Sequence, residues 1–341
     1  MRKKVVTFGE IMLRLSPPDY KRIIQSEQFN AVYGGGEANV ATSLAHFGLE
    51  SYFVTKVPDN LLGQSAICHL RRYGVKTDYI INGGDRLGIY FLEPGASQKP
   101  SQVIYDRSNS SVAEANPGEY AWDVIFNKAD WFHITGITPA ISEKAAQAAL
   151  EACISARKAG ATISCDINYR KKLWPKERAF SIMSEIMSYV DYAVGNEEDA
   201  GDVFGIRASD NDIIKGLLNE EGYKDVARQL KEMFDLKGVA ITLRESRSAS
   251  DNGWSGLLYT EDQFFFSPRY DIHIVDRVGG GDAFASGLIY GILQSWFPQD
   301  TIDFAVAASC LKHSIPGDMN MFSPEEVLKL AGGDASGRIQ R

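Results

Sequence analysis

Residues Ile272–Gly291 read IHIVDRVGGGDAFASGLIYG, and this stretch decides the fold. A β-like apolar run ends at Asp276, three glycines follow at Gly279, Gly280 and Gly281, and Asp282 opens an apolar helix rich in small residues. Strand, glycine turn and helix in that order form the repeating unit of a parallel α/β sheet. Successive N–H groups of such a turn, aimed along a helix N-terminus, make an anion site. Without Cβ atoms, phosphate oxygens can come close to the main chain. A carboxylate at the mouth of that site can accept the proton of an alcohol attacking phosphorus. The same residues also read as a tight turn followed by an Asp N-cap.

The same alternation extends outward from this segment. Strand-like runs at Val5–Gly9, Tyr52–Val57, Trp131–Thr135, Thr162–Asp166, Tyr192–Val194 and Val239–Leu243 are short and apolar. Helical patterns lie among them at Glu37–Phe47, Leu61–Tyr73, Glu143–Ala159, Lys176–Tyr189 and Lys224–Phe234. This order predicts an α/β fold with a mostly parallel sheet covered on both faces. Two β-rich stretches interrupt it: Met12–Tyr33, with the turn-prone Ser16-Pro17-Pro18-Asp19, and Gly88–Arg107, two strands around a Pro/Gly/Ser turn. Paired, they would form a small sheet, a lid of residues 12–33 and 88–107 over a body of residues 1–11, 34–87 and 108–341. Period-two geometry puts Val103, Tyr105 and Arg107 on one face of the second strand, suited to covering a polar ligand. A surface hairpin with a snorkelling arginine is the plainer reading of the same residues.

Composition narrows the function. The 341 residues are 44% hydrophobic and 23% charged, enough to bury a core without disulfides or a structural metal. A net charge of −8 argues against nucleic acid or an anionic membrane as partner. The start, MRKKVVTFGEIMLRL, reads as a first strand rather than a secretory signal, because Glu10 and Arg14 break its apolar run. No apolar run approaches a bilayer span. Cys68, Cys153, Cys165 and Cys310 are isolated, as in a reduced cytoplasmic protein. There is no GxxxxGK[ST] nucleotide loop, no N-terminal dinucleotide GxGxxG unit, and no HExxH or cysteine cluster for zinc.

Three further segments have the residue types of a site. Gly34-Gly35-Gly36-Glu37-Ala38-Asn39 again sets glycines before a helix, either for a ligand lying on the main chain or as a bend. Asp166-Ile167-Asn168-Tyr169-Arg170 ends an apolar strand, and carboxyl ends of strands are where ligands bind in open α/β sheets. Asn196-Glu197-Glu198-Asp199 suits magnesium held through water, or equally an acidic first helical turn.

Together and in this order, the segments resemble the ribokinase-like carbohydrate kinases, the PfkB family, from Val5 to about Pro316. DRVGGGDAFASG is similar to that family's C-terminal signature and GGGEANVA to its N-terminal glycine motif. The resemblance implies a three-layer αβα sandwich with a mostly parallel central sheet and a small β lid. Within the family, DINYRKKLW, VIYDRSNSS and IPGDMN are most similar to 2-keto-3-deoxygluconate kinases. By that resemblance Gly34, Gly35, Tyr90, Tyr105, Arg107, Arg170 and Asp318 contact a sugar acid. Asn168, Arg170, Asn196, Thr242, Gly279 and Gly281 reach ATP, and Gly279 to Gly281 form the anion hole. Asp199 takes magnesium through water, and Asp276 helps hold a monovalent cation such as K+ near the glycine loop. The chain departs from the pattern at Asp199, where a glutamate is common, at Arg277-Val278, and at LRESRSAS (243–250), a loop beside the nucleotide that commonly carries glycines.

The chemistry expected is transfer of the γ-phosphoryl group of ATP to a sugar hydroxyl, with Asp282 as base. Such transfer relies on positioning and charge stabilisation, so a carboxylate of ordinary pKa is adequate. A sugar carboxylate calls for an arginine fork, and Arg107 or Arg170 can supply it. The alternatives are a kinase for a neutral sugar such as fructose or ribose, and a catalytically silent sugar- or nucleotide-binding protein. Exposed lid strands need cover, which points to a homo-oligomer, a dimer joined through the lids.

Overall fold

The computed structural model describes residues 2–208 and 220–334. Fourteen strands occur among them. Ten form one sheet: β1 (Lys4–Phe8), β4 (Glu50–Val57), β5 (Ile80–Asn82), β8 (Trp131–Thr135), β9 (Thr162–Asp166), β10 (Tyr192–Gly195), β11 (Gly238–Ser246), β12 (Asp251–Thr260), β13 (Gln263–Phe266) and β14 (Tyr270–His273). The other four form a separate sheet: β2 (Met12–Ser16), β3 (Asn30–Gly34), β6 (Gly88–Glu93) and β7 (Gln102–Asp106).

The large sheet runs β13-β12-β11-β10-β9-β8-β1-β4-β5, with β14 paired to β12. From β11 to β5 every pairing is parallel, while β12, β13 and β14 join antiparallel. Parallel strands are buried on both faces and therefore read as apolar runs. Val5, Val6 and Phe8 of β1 and Trp131, Phe132 and Ile134 of β8 are all buried. The sequence order of the strands reverses at β1, which lies between β8 and β4. In open α/β sheets such a reversal opens a crevice at the strands' carboxyl ends.

The helices are α1 (Gly36–His46), α2 (Leu61–Arg72), α3 (Trp122–Ile125), α4 (Ile137–Ala140), α5 (Glu143–Lys158), α6 (Lys176–Met187), α7 (Glu197–Phe204), α8 (Glu220–Phe234), α9 (Gly280–Leu293), α10 (Pro298–His313) and α11 (Pro324–Ala331). They cover both faces of the sheet, and one apolar core lies on each side. Helices α9 and α10 touch closely, because a Cβ on Gly287 would stand 2.6 Å from Ala305 Cα. No helix among the described residues is long and apolar enough to cross a membrane.

The two predicted insertions do pair with each other. The small sheet runs β3-β2-β6-β7, with β2 and β6 parallel and the outer pairs antiparallel. Met12, Tyr90 and Leu92 form a small cluster on its inner face, with Val103 and Val278 packed against it. The lid thus rests on the turn that precedes the glycines.

One stretch differs from the sequence reading. Leu243–Ser246 is not loop but the end of β11, zipped to Asn252–Ser255 of β12. The hairpin carries charge because its edges are solvated: Arg247 is exposed and pairs with Asp271 at 2.9 Å.

Candidate active site

The floor of the site is the N-terminus of α9. Gly279 sits at φ +85°, and a Cβ there would lie 1.7 Å from the Asp318 carbonyl oxygen. At Gly280 a Cβ would meet the His313 ring at 2.3 Å. These two glycines are required by close packing. Gly281 faces open space instead, so its lack of a side chain leaves the amide reachable from solvent. No side chain caps the helix, which leaves its first N–H groups free to meet an anion.

Asp282 lies half-buried in that first turn and is not the N-cap, a position Gly279 takes. Its Oδ2 accepts a hydrogen bond from Asn39 Nδ2 at 2.7 Å, and Asn39 Oδ1 accepts the Gly35 N–H at 3.3 Å. Burial pushes the Asp282 carboxyl up to about 6, against the restraining bond from Asn39. A carboxylate of ordinary pKa would suffice for such a transfer, and the floor supplies one that burial has raised. A raised value brings it nearer to a working pH and strengthens it as a proton acceptor.

The second glycine motif stands directly opposite. A Cβ on Gly36 would be 3.7 Å from Asp282 Oδ1, and one on Gly34 would be 2.1 Å from Asp318 Oδ2. A Cβ on Gly35 would be 1.9 Å from the Glu10 carbonyl. Here the glycines let β3 and α1 press against the catalytic floor. Beneath them Glu37 is buried, with Oε1 accepting from Thr135 N at 2.9 Å, Thr135 Oγ1 at 2.8 Å and Thr138 Oγ1 at 2.6 Å. Burial raises its carboxyl to about 7 in spite of those bonds.

Strand register lines up the lid residues. Arg14 pairs with Tyr90, and Tyr90 with Tyr105, so the three form one row across β2, β6 and β7. Arg14 is buried and donates from Nη1 to Asp318 Oδ1 at 2.6 Å and from Nη2 to Asp276 Oδ2 at 2.6 Å. The Tyr90 hydroxyl donates to the other Asp318 oxygen. Asp276 also accepts from the Val278 and Gly317 amides at 3.1 and 3.0 Å. Hence the expectation for Asp276 is revised: its carboxylate is taken up by a lid arginine and two amides, which does not fit a ligand of a free monovalent cation.

Arg107 is buried, with Nε donating to Glu10 Oε2 at 2.7 Å and its guanidinium 5.5 Å above the Tyr105 ring. One buried carboxylate, Glu10, balances its charge and holds it in place. Arg170 is exposed and, among the described residues, has no ion pair, so it is the less committed cation of the two.

Two cavities meet at this floor. One, of about 480 Å³, lies under the lid and is lined by Tyr90, Tyr105, Arg107 and Asp318 with the glycine turn. The other, of about 360 Å³, lies over the carboxyl ends of β9, β10 and β11. Asn168, Arg170, Arg277 and Gly281 line both, and Asp282 lines the first. Asn168 stands at φ +39°, a left-handed turn that brings residues 166–170 over the junction. The second cavity also holds Asn196, Asp199, Thr242 and Arg244.

Asn196 caps α7, its Oδ1 accepting the Asp199 N–H at 2.8 Å, and Glu197, Glu198 and Asp199 form the acidic first helical turn that was the second reading of this segment. Asp199 Oδ1 accepts the Tyr169 N–H at 3.0 Å, and burial lifts its carboxyl to about 6. Asp166 is also lifted, by burial first and then by Asp199 and Asp282. Carboxylates that crowd one another beside an anion turn suit a hydrated divalent cation, which relieves their mutual repulsion. Among the described residues no group of three or more His, Cys, Asp or Glu could hold a metal ion.

Sequence reasoning passed over Arg14, Glu10, Asn39 and Lys312. Asn39 stands one helical turn after Gly35, a spacing that shares its face. Arg14 alternates with Met12 and Ser16 along β2 and so could have been read as inward-facing. Nothing local marks Glu10 as the partner of Arg107.

Lid, anion turn and half-buried base at a sheet crevice are the parts of an enzyme that moves an anionic group between two small molecules. Comparison with known proteins agrees. The profile described as "pfkB family carbohydrate kinase" matches residues 2–325. A 2-dehydro-3-deoxygalactonokinase of Haloferax volcanii is 32% identical over 337 residues, 98% of this chain and 99% of that protein. A 2-dehydro-3-deoxygluconokinase of Bacillus subtilis is 29% identical, covering 96% and 95% of the two chains. The crystal structure of a 2-dehydro-3-deoxygluconokinase from Thermotoga maritima superposes with a TM-score of 0.94 at 52% identity, covering 97% of this chain and 100% of that one. The chain belongs to the pfkB family of carbohydrate kinases and is itself a sugar kinase.

Proposed function

We propose that this kinase transfers the γ-phosphoryl group of ATP to the 6-hydroxyl of 2-keto-3-deoxygluconate. The observation that carries the reading is the junction of two cavities at Gly281 and Asp282, with arginines on the lidded side. The sugar acid lies under the lid, between Tyr90, Tyr105 and Asp318, and its hydroxyl meets Asp282. The nucleotide lies across Asn168, Asn196 and Thr242, and its γ-phosphate approaches the Gly281 amide.

The first amides of α9 stabilise charge on the transferred group and the leaving diphosphate. Asp282, aimed by Asn39, orients the alcohol and takes its proton late. Closure of the lid excludes water from the transfer. Magnesium, held through water by Asp199 and Asp166, would neutralise phosphate charge. Arg170 and Arg107 recognise the carboxylate, Arg107 with its orientation set by Glu10. A buried guanidinium already paired to a glutamate discriminates by geometry more than by net charge, which suits a planar acid. We place the enzyme in the cytoplasm, where ATP and reduced thiols match its four free cysteines.

ADP release tests the reading, with Mg-ATP and 2-keto-3-deoxygluconate, its galactonate epimer, 2-ketogluconate, fructose and ribose as acceptors. The keto-deoxy acids should exceed the neutral sugars in kcat/KM by at least about tenfold, the effect of one well-placed charge-assisted pair. Preference for the epimer would move the assignment to the activity named for the Haloferax relative. Preference for fructose or ribose would refute the acid pocket.

A further inference from the structure

Lys312 of α10 is wholly buried, and none of the carboxylates in the described residues lies within ion-pair distance of it. Its Nζ meets two main-chain carbonyls, Asp276 O at 3.4 Å and Ile315 O at 3.5 Å. Its stem passes beneath the anion turn: Cε stands 3.2 Å from the point a Cβ on Gly279 would occupy. A buried ammonium with two long bonds to carbonyls costs stability that an apolar residue in this helix would not. Burial lowers its pKa, while Asp276, Asp318 and Asp282 support the charged form and Arg14 opposes it.

The place is the informative part. Two main-chain carbonyl oxygens beneath a helix N-terminus face one positive charge here, the charge that a monovalent cation in the same place would bring. The Asp276 carboxylate that such a cation would use is already paired with Arg14. A charge there lies on the same side as the helix dipole and adds to the positive potential felt by a phosphate at Gly281.

We propose that Lys312 is a tethered cation of the anion hole: its ammonium takes the position and charge of a monovalent ion beneath the glycine turn, so turnover requires no added K+. Lys312 is thus a positioning residue that acts through the Asp276 and Ile315 carbonyls. The proposal rests on the phosphoryl-transfer reading above.

The test uses the native enzyme first, at constant ionic strength, with choline chloride replaced stepwise by KCl. ADP release from Mg-ATP and 2-keto-3-deoxygluconate should change less than about twofold in kcat, and the unfolding midpoint should not rise with K+. Activation of tenfold or more, or a K+-dependent rise in the midpoint, would overturn the proposal. The melting series reads the cation site even if none of the sugars is turned over, so the two readings fail separately. Lys312→Met, which keeps the volume and removes the charge, should lose about 10- to 100-fold in kcat with a smaller change in sugar KM. Lys312→Ala should recover part of its loss on addition of K+, ammonium or methylammonium, a rescue that a purely structural lysine would not give. A folded Lys312→Met enzyme with native kcat would refute the role. If neither variant folds, the native cation series decides alone.

Discussion

Replacing Asp282 with asparagine should cost activity and add stability. In the fold burial holds the carboxyl at about 6, whereas an unfolded aspartate titrates near about 3.9. A carboxyl raised in this way stabilises the fold only when protonated. That contribution is complete below about pH 4 and is lost as the pH rises through about 6. The difference is about two units at about 1.4 kcal/mol each, so the ionised group opposes folding at pH 7 by at most about 3 kcal/mol. Half-burial and relaxation reduce this to about 1–2 kcal/mol. Asparagine has nearly the same shape, and its amide oxygen can still accept from Asn39. Asp282→Asn should therefore be more stable than the native enzyme at pH 7.5, by about 1–3 °C in unfolding midpoint, and equal to it at pH 4. The same variant should lose about 10²–10⁴ in kcat while still binding the sugar acid. In the native enzyme kcat should fall tenfold per pH unit below about 6. Paired melts at the two pH values, with ADP release at pH 7.5, check all of this. A variant that is destabilised equally at both pH values, or one with native kcat, would refute the reasoning.

Other expectations follow from the lid. Arg107→Met should raise KM at least about tenfold for acid sugars and far less for fructose or ribose, measured by ADP release; equal effects would remove Arg107 from carboxylate recognition. Arg14→Met leaves Asp276 and Asp318 buried without their cation, and should cost about 3–5 kcal/mol in denaturant unfolding. A loss under 1 kcal/mol would mean the lid is not anchored there. Ile104 of β7 is 54% exposed on the lid strand that ends the small sheet. Light scattering should give the mass of a dimer, and Ile104→Glu should give a monomer. A native monomer would dismiss pairing through the lids.

Much of the frame was legible because it is local. The alternating runs around Val5, Trp131 and Thr162 carry their own period, and the glycines of 279–281 carry their own turn. The lid was legible because β6 and β7 interrupt a helical rhythm. What stayed hidden depends on contacts across the chain. Arg14 meets Asp318 from 304 positions away, and Asn39 meets Asp282 from 243 positions away. No spacing rule connects such residues, so Asp276 looked free for a cation until its partner was seen. The raised carboxyl of Asp282 was hidden for the same reason, since burial is a property of the assembled floor and not of DAFASG. Lys312 is the sharpest case: in sequence it is one lysine near the end of an apolar helix, and only packing puts it under the anion turn.

The central claim is phosphoryl transfer to the sugar acid's terminal hydroxyl at the Asp282 floor. Phosphorus NMR of the product formed from Mg-ATP and 2-keto-3-deoxygluconate measures it most directly. One monoester resonance, coupled to the two C6 protons, should rise with ADP and be missing with Asp282→Asn over the same interval. Inorganic phosphate alone, an ester at another carbon, or undiminished ester formation by the variant would contradict it.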